Sequence, residues 1–139
     1  MIIISHRGNT SGSVEEYENH PDVINDILVK GIDCEIDVWY LNDKFYLGHN
    51  FPKYEIDNSF IMKKGLWCHA KNLPALYEMS KYDTVNFFWH QEDDFTLTSQ
   101  NIIWTYPGKT TTKKSIIVDT SKNWRNKKYD CMGVCVDWI

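Results

Sequence analysis

The chain lacks the features that announce a polyanion or a membrane as its partner. No basic stripe runs through it. Its 15 Lys and Arg face 19 Asp and Glu, the formal net charge is −4, and only short pairs such as Lys113-Lys114 and Lys127-Lys128 concentrate the cations. A broad nucleic-acid surface needs closely spaced cations to displace counterions, so that partner is excluded. A small anionic ligand is not, because one or two well-placed cations bind it. No apolar run approaches the ~20 residues of a membrane span, which excludes stable insertion. Met1 leads straight into Ile2-Ile3-Ile4 without a basic segment or a small-residue cleavage site. No signal peptide is therefore expected, and the expected location is cytoplasmic. Cysteine is confined to Cys34, Cys68, Cys131 and Cys135. The first two sit in apolar runs and read as buried thiols. The last two are four apart with no second pair at zinc-finger spacing, so reduced thiols are expected. Linkers, low-complexity tracts and internal repeats are missing as well, and residues 1–139 read as a single domain.

What is present is apolar and aromatic. Hydrophobic residues make up 42% of the chain and aromatics 14%, enough to bury a real core, and six tryptophans must be packed or line a cleft. The first strand is expected over Ile2 to Ser5. Pro21 suits the first turn of a helix capped by His20 or Asn19, with Val23, Ile24, Ile27 and Leu28 at helical spacing and Gly31 as the stop. A strand from Ile32 to Trp39 follows, so strand, helix and strand form a parallel crossover unit. A turn at Asn42-Asp43 leads to an extended piece, Phe45 to Gly48. A short helix is expected near Asn58 to Lys63, then a strand from Leu66 to Lys71 and an Asn72-capped helix from Leu73 to Tyr82. Further strands are expected at Val85 to His90, Ile102 to Tyr106, Ser115 to Asp119 and Met132 to Trp138. Their connections are short and polar, with little room for full helices. About seven parallel strands and few helices predict an α/β fold, a reduced or incomplete TIM-type (β/α) barrel, since a full one takes about 250 residues. An open doubly wound sheet is the alternative.

Glu35 and Asp37 are two apart on a strand, so both point to one face while Cys34, Ile36 and Val38 point to the other. Two carboxylates on the inward face of a parallel barrel are costly unless compensated. A divalent cation compensates them most simply, and hard oxygen ligands suit Mg2+ or Ca2+. An exposed acidic edge strand is the plainer alternative. His6-Arg7-Gly8 ends the first strand, where β/α folds place reactive groups. Histidine relays protons near neutral pH, arginine clamps phosphate with paired hydrogen bonds, and glycine lets the backbone turn close to a ligand. His49 follows Leu47-Gly48, either as a second proton relay or as an ordinary loop residue.

Taken together, His6-Arg-Gly, Glu35-Ile-Asp37 and Leu47-Gly-His49-Asn50 resemble the glycerophosphodiester phosphodiesterase family and, more broadly, the phospholipase C-like phosphodiesterases. Glu18-Asn19 looks like the family's Pro-Glu-Asn segment, and Val134-Cys-Val-Asp137-Trp138 like its last strand. The resemblance covers residues 2 to 50 closely, about a third of the chain. It implies a (β/α) barrel, His6 and His49 as acid/base pair, Glu35 and Asp37 holding Mg2+ or Ca2+, and Arg7 on the phosphate. Three departures stand out. Asn50 replaces the Asp that usually follows the second histidine. The family's third metal carboxylate, in Glu-x-Lys, reads His69-Ala70-Lys71 here. The chain is also far shorter than usual.

Three roles stay open for His69: a metal ligand through neutral imidazole, a substrate contact, or a substitution that weakens metal binding. Lys71 on the same strand face fits a phosphate cation. His90 ends the next strand before Gln91-Glu92-Asp93-Asp94, and Glu92 or Asp93 could replace the missing carboxylate. Trp104 and Tyr106 either wall the pocket or pack in the core. Asp137 would lie beside His6, to orient a histidine or Arg7 or to cap the sheet. The expected function is metal-dependent hydrolysis of a small-molecule phosphodiester. The competing readings are a non-catalytic binder of phosphate ligands or metal, and a transition-metal hydrolase using several of the five histidines, although no His-x-x-x-His or Cys-x-x-Cys spacing supports the latter directly.

Overall fold

The computed structural model describes residues 1–139. The crossover unit expected from the sequence forms at the start of the chain. β1 (Ile2–His6) runs into α1 (Pro21–Val29) and returns as β2 (Asp33–Leu41), with β1 and β2 parallel. His20 caps α1, its side chain accepting from the Asp22 amide, and Pro21 supplies the preset first-turn φ. β5 (Leu66–Ala70) lies parallel along the other edge of β2, followed by α2 (Leu73–Met79). Asn72 caps α2 through the Ala75 amide and also pairs with both backbone groups of Tyr40, tying the helix start to β2.

The remaining architecture corrects the barrel expectation. The ten strands make one curled sheet of mixed orientation, a half-barrel, and only two short α-helices are present. Parallel pairing does link β6 (Phe87–Phe88), β5, β2, β1, β10 (Gly133–Val136), β9 (Ser115–Val118) and β8 (Ile103–Thr105). Antiparallel pairs join β2 to β3 (Lys44–Leu47), β3 to β4 (Tyr54–Ile56), and β7 (Phe95–Leu97) to β8. No ring of flanking helices surrounds the sheet, so it is not a TIM barrel. The physical reason is connection length: chain segments such as Gly108 to Lys114 are too short for the crossover helix that a β/α unit needs. That segment joins β8 to β9 in parallel without a helix, and tight connections elsewhere make the β2–β3, β3–β4 and β7–β8 hairpins. The sheet also does not close by backbone pairing, for β6 pairs only with β5.

Two layers of side chains explain how the half-barrel holds together. On the convex face of β2, Cys34, Ile36 and Val38 are fully buried against Ile24 and Ile27 of α1 and Ala75 and Met79 of α2. Both helices thus lie on one face, which also sets the fold apart from a doubly wound sheet. On the concave face, Ile4, Trp67, Phe88, Trp104, Ile116 and Cys135 form a plug. Phe88 stacks on Trp104 with ring centres 4.6 Å apart, bridging β6 and β8 across the unpaired side. The Ser99 amide donates to the Phe87 carbonyl there as well, at 2.8 Å. No helix is long and apolar enough to cross a membrane. All four cysteines are unpaired, with Cys34, Cys68 and Cys135 buried.

Candidate active site

Register alone gathers the polar residues. β1 ends at His6, which lies beside Glu35, and Asp37 lies beside His69 on β5. Because side chains alternate along strands, Glu35, Asp37 and His69 share the concave face above the aromatic plug. β2 continues past the end of β1, and β3 folds back along its freed edge. The Gly48 amide then reaches the Asp37 carbonyl, which brings His49 to the same place. Gly48 is needed there: a Cβ would lie 1.9 Å from the Phe51 carbonyl oxygen. The exposed-edge alternative for Glu35 and Asp37 is overturned, since they are 3% and 0% exposed.

Asp37 is the hub. Its Oδ2 accepts from Asn19 Nδ2 at 2.9 Å, and Arg7 Nε and His49 Nδ1 lie 3.1 and 3.4 Å away. Its Oδ1 faces His69 Nδ1 at 3.2 Å, off the line of a hydrogen bond, and has no hydrogen-bond partner. Burial alone would raise the Asp37 carboxyl. The imidazoles of His49 and His69 and the Arg7 guanidinium outweigh it and hold this group well below the ordinary carboxylate range. Glu35 goes the other way. Burial and then the charge of Asp37 push its carboxyl up, against His6, Arg7 and His69. Its Oε2 is buried without a hydrogen bond, 3.9 Å from His6 Nε2, while Oε1 lies 3.8 Å from His69 Nδ1.

The histidine protons follow from what their partners can do. A carbonyl oxygen only accepts, so His69 Nε2 donates its hydrogen to the His90 carbonyl at 2.6 Å, which leaves Nδ1 as the ring nitrogen turned to the carboxylates. His6 donates from Nδ1 to Asp137 Oδ1 at 2.8 Å, leaving Nε2 toward Glu35. Burial lowers the affinity of His6 for a proton, yet the Asp137 hydrogen bond and the charge of Glu35 exceed that effect and leave its pKa raised. Asp137 itself is held down, for the donors His6 and Asn9 outweigh its burial.

Two lobes open onto this centre. The larger, about 720 Å³, is lined entirely by polar residues, with His49, Lys71, Glu92 and Asp93 among them. The smaller, about 220 Å³, holds His6 and Glu35 against a wall that includes Trp104, Tyr106 and Val118. Arg7, His69 and His90 border both. A separate hollow of about 410 Å³ beside β7 contains none of these groups. His6, Arg7, Glu35, Asp37, His49, His69, Lys71 and His90 gather around these lobes in unequal roles, whereas His20 lies outside them as the cap of α1. His90 turns its Nε2 to the Asp93 carbonyl and serves His69 through its own backbone. Trp104 is mostly core, stacked between Trp67 and Phe88. Glu92 and Asp93 are exposed at the rim, and the group able to hold a metal ion is Glu35, Asp37 and His69, whose donor atoms lie within 4.8 Å of one another.

Sequence reasoning missed the support beneath these groups. Asn19 is fully buried with φ 60°, receives the Asp37 amide on Oδ1 at 2.9 Å and gives Nδ2 to its carboxylate. Asn9 bridges Glu18 and Asp137, and Glu18 also receives Ser13 and Arg7. The likeness of Glu18-Asn19 to a family segment was a signal for Asn19. Asn9 and Ser13 sit in a polar loop that gave none. Comparison with protein-family models, curated proteins and solved structures finds no match.

Proposed function

We propose that the protein is a metal-dependent hydrolase of small phosphodiesters. The observation that carries this reading is the pair of buried carboxylate oxygens without hydrogen bonds, Glu35 Oε2 and Asp37 Oδ1, in a centre shared with the His69 imidazole and bordered by Arg7. Buried unpaired carboxylates are costly, and a cation is the usual remedy. Glu35, Asp37 and His69 would hold a divalent ion, which when bound polarises a phosphoryl oxygen and offsets charge that grows in the transition state. Arg7 and Lys71 bind the remaining phosphoryl oxygens, Arg7 being fixed by Asp37 and Glu18. His6, steered by Asp137, and His49, against Asp37, act on the two ester oxygens. One takes the proton of the attacking hydroxyl or water, and the other gives a proton to the departing alkoxide. Where the substrate carries a neighbouring hydroxyl, as a glycerol arm does, internal attack through a cyclic phosphate is consistent with this layout. The four unpaired thiols suit a reducing compartment, and we place the protein in the cytoplasm.

Incubating the protein with glycerophosphocholine and, in parallel, an aryl phosphodiester, with and without chelator, tests this reading. Metal-dependent release of a phosphomonoester or cyclic phosphate is expected. Tight binding of the diester without turnover in the presence of metal would replace the enzyme with a phosphate-ligand binder.

A further inference from the structure

The third member of the proposed metal centre is nitrogen, and it is built as a ligand. His69 has one ring nitrogen occupied, since Nε2 donates to the His90 carbonyl at 2.6 Å. That bond fixes the ring and aims its other nitrogen, Nδ1, at Asp37 Oδ1 and Glu35 Oε1, 3.2 and 3.8 Å away. Metal-binding histidines are oriented in this way, with the far N–H given to a carbonyl or carboxylate. Phe88 stacks flat on the His69 ring at 5.2 Å and 8°, which further restricts its rotation. One ring nitrogen and two carboxylates thus converge in a buried space. Nδ1 lies close enough to both carboxylates, at 3.2 and 3.8 Å, for all three groups to meet on one ion.

From this donor set we infer that the site selects a first-row transition ion in the Mn2+ to Zn2+ range over Mg2+ or Ca2+. The inference rests on the metal centre of the proposed function and narrows its cofactor. Mg2+ and Ca2+ prefer oxygen ligands, and Mg2+ gives up its water reluctantly. Imidazole favours the later, softer ions, and affinity rises from Mn2+ toward Cu2+ for a given set of N and O donors. Three protein ligands leave positions open for a phosphoryl oxygen or water. The carboxylate expected at position 69 would have made an all-oxygen site, so one residue changes the class of ion.

Titration calorimetry with Mn2+, Co2+, Mg2+ and Ca2+, combined with pulsed electron paramagnetic resonance of the Mn2+ form, tests the inference. The wild type should bind Mn2+ and Co2+ at least about tenfold more tightly than Mg2+. It should also show nitrogen coupling from one directly bound imidazole. His69→Glu should lose that coupling and shift preference toward Mg2+, whereas His49→Ala should keep the coupling. Equal or tighter Mg2+ binding in the wild type, abolished by Asp37→Asn, would overturn the choice of ion and leave the metal centre standing. Nitrogen coupling that survives in His69→Glu would also overturn it. No binding of any of the four ions would overturn both the inference and the metal-dependent reading.

Discussion

At the scale of single residues, the site depends on how each histidine is held. Asp137 is a positioning residue that fixes His6 through Nδ1 and keeps its pKa raised. Asp137→Asn should lower kcat on a phosphodiester by about a hundredfold, a typical share for acid–base assistance. Because the carboxylate raises the His6 pKa, its removal should also move the limb of the pH–rate profile set by His6 to lower pH. A kcat loss with an unmoved profile would assign Asp137 a structural role only. Glu35, Asp37, His6 and Arg7 were legible in the sequence because each carries its own chemical signature at a strand or strand end. Asn19 was not, for its importance comes from being folded under Asp37, which sequence position alone does not reveal. His69 was visible as a candidate, but only the carbonyl of His90 decides which ring nitrogen it offers.

At the scale of elements, hairpins do what crossover helices were expected to do. The β2–β3 hairpin returns His49 to Asp37, and Gly48 is the point that cannot carry a side chain. Gly48→Ala must displace the Phe51–Lys53 backbone and is expected both to reduce kcat and to lower the midpoint of urea unfolding. A second element is pinned by charge. At the end of β9, Asp119 accepts from Lys127 Nζ at 2.8 Å, from Tyr129 Oη, and from Ser121 through both its amide and its hydroxyl. Burial works against its ionisation, but these donors prevail and hold its pKa at about 2. A depressed carboxylate stabilises the fold above its unfolded pKa, near 4, and loses that contribution as pH falls toward the folded value. The stability difference between wild type and Asp119→Asn, measured by urea unfolding, should therefore shrink between pH 6 and pH 3. A difference that is constant or grows would contradict the pairing. The strands β4 and β7 escaped the sequence reading because three-residue strands lack a countable period, and β7 follows an acidic run that resembles a loop. The same shortness hid the hairpins, whose antiparallel pairing turns an expected barrel into a mixed half-barrel.

At the scale of the whole molecule, a stable convex core and a strained concave site are built on the same strand. β2 buries Ile36 and Val38 on one side and two carboxylates on the other. The apolar side was fully legible from alternation, and so was the pairing of the carboxylates on the opposite side. What the alternation could not show was how the sheet curls and which side chains bridge its unpaired edges, as Phe88 and Trp104 do. The carboxylate pair should make the metal-free protein less stable than it need be, since Glu35 is pushed up by burial and by Asp37. Glu35→Gln is thus expected to raise the Tm in the presence of chelator and to abolish the further rise that saturating divalent metal gives the wild type. At a metal concentration a hundred times the Kd that rise reflects about 2.7 kcal/mol. A Glu35→Gln protein that melts lower than wild type under chelation would contradict the account of a strained pair.

If the concave cluster performs acid–base chemistry on a phosphodiester, as proposed, removing His6 must cost turnover without costing the fold. Turnover of an aryl phosphodiester is measured for wild type and His6→Ala, both loaded with Mn2+ and both shown to be folded by circular dichroism. Measurable wild-type hydrolysis is expected, with a loss of about 10²–10⁴-fold in kcat for His6→Ala. Equal rates in the two proteins, or no turnover by the metal-loaded wild type, would contradict it.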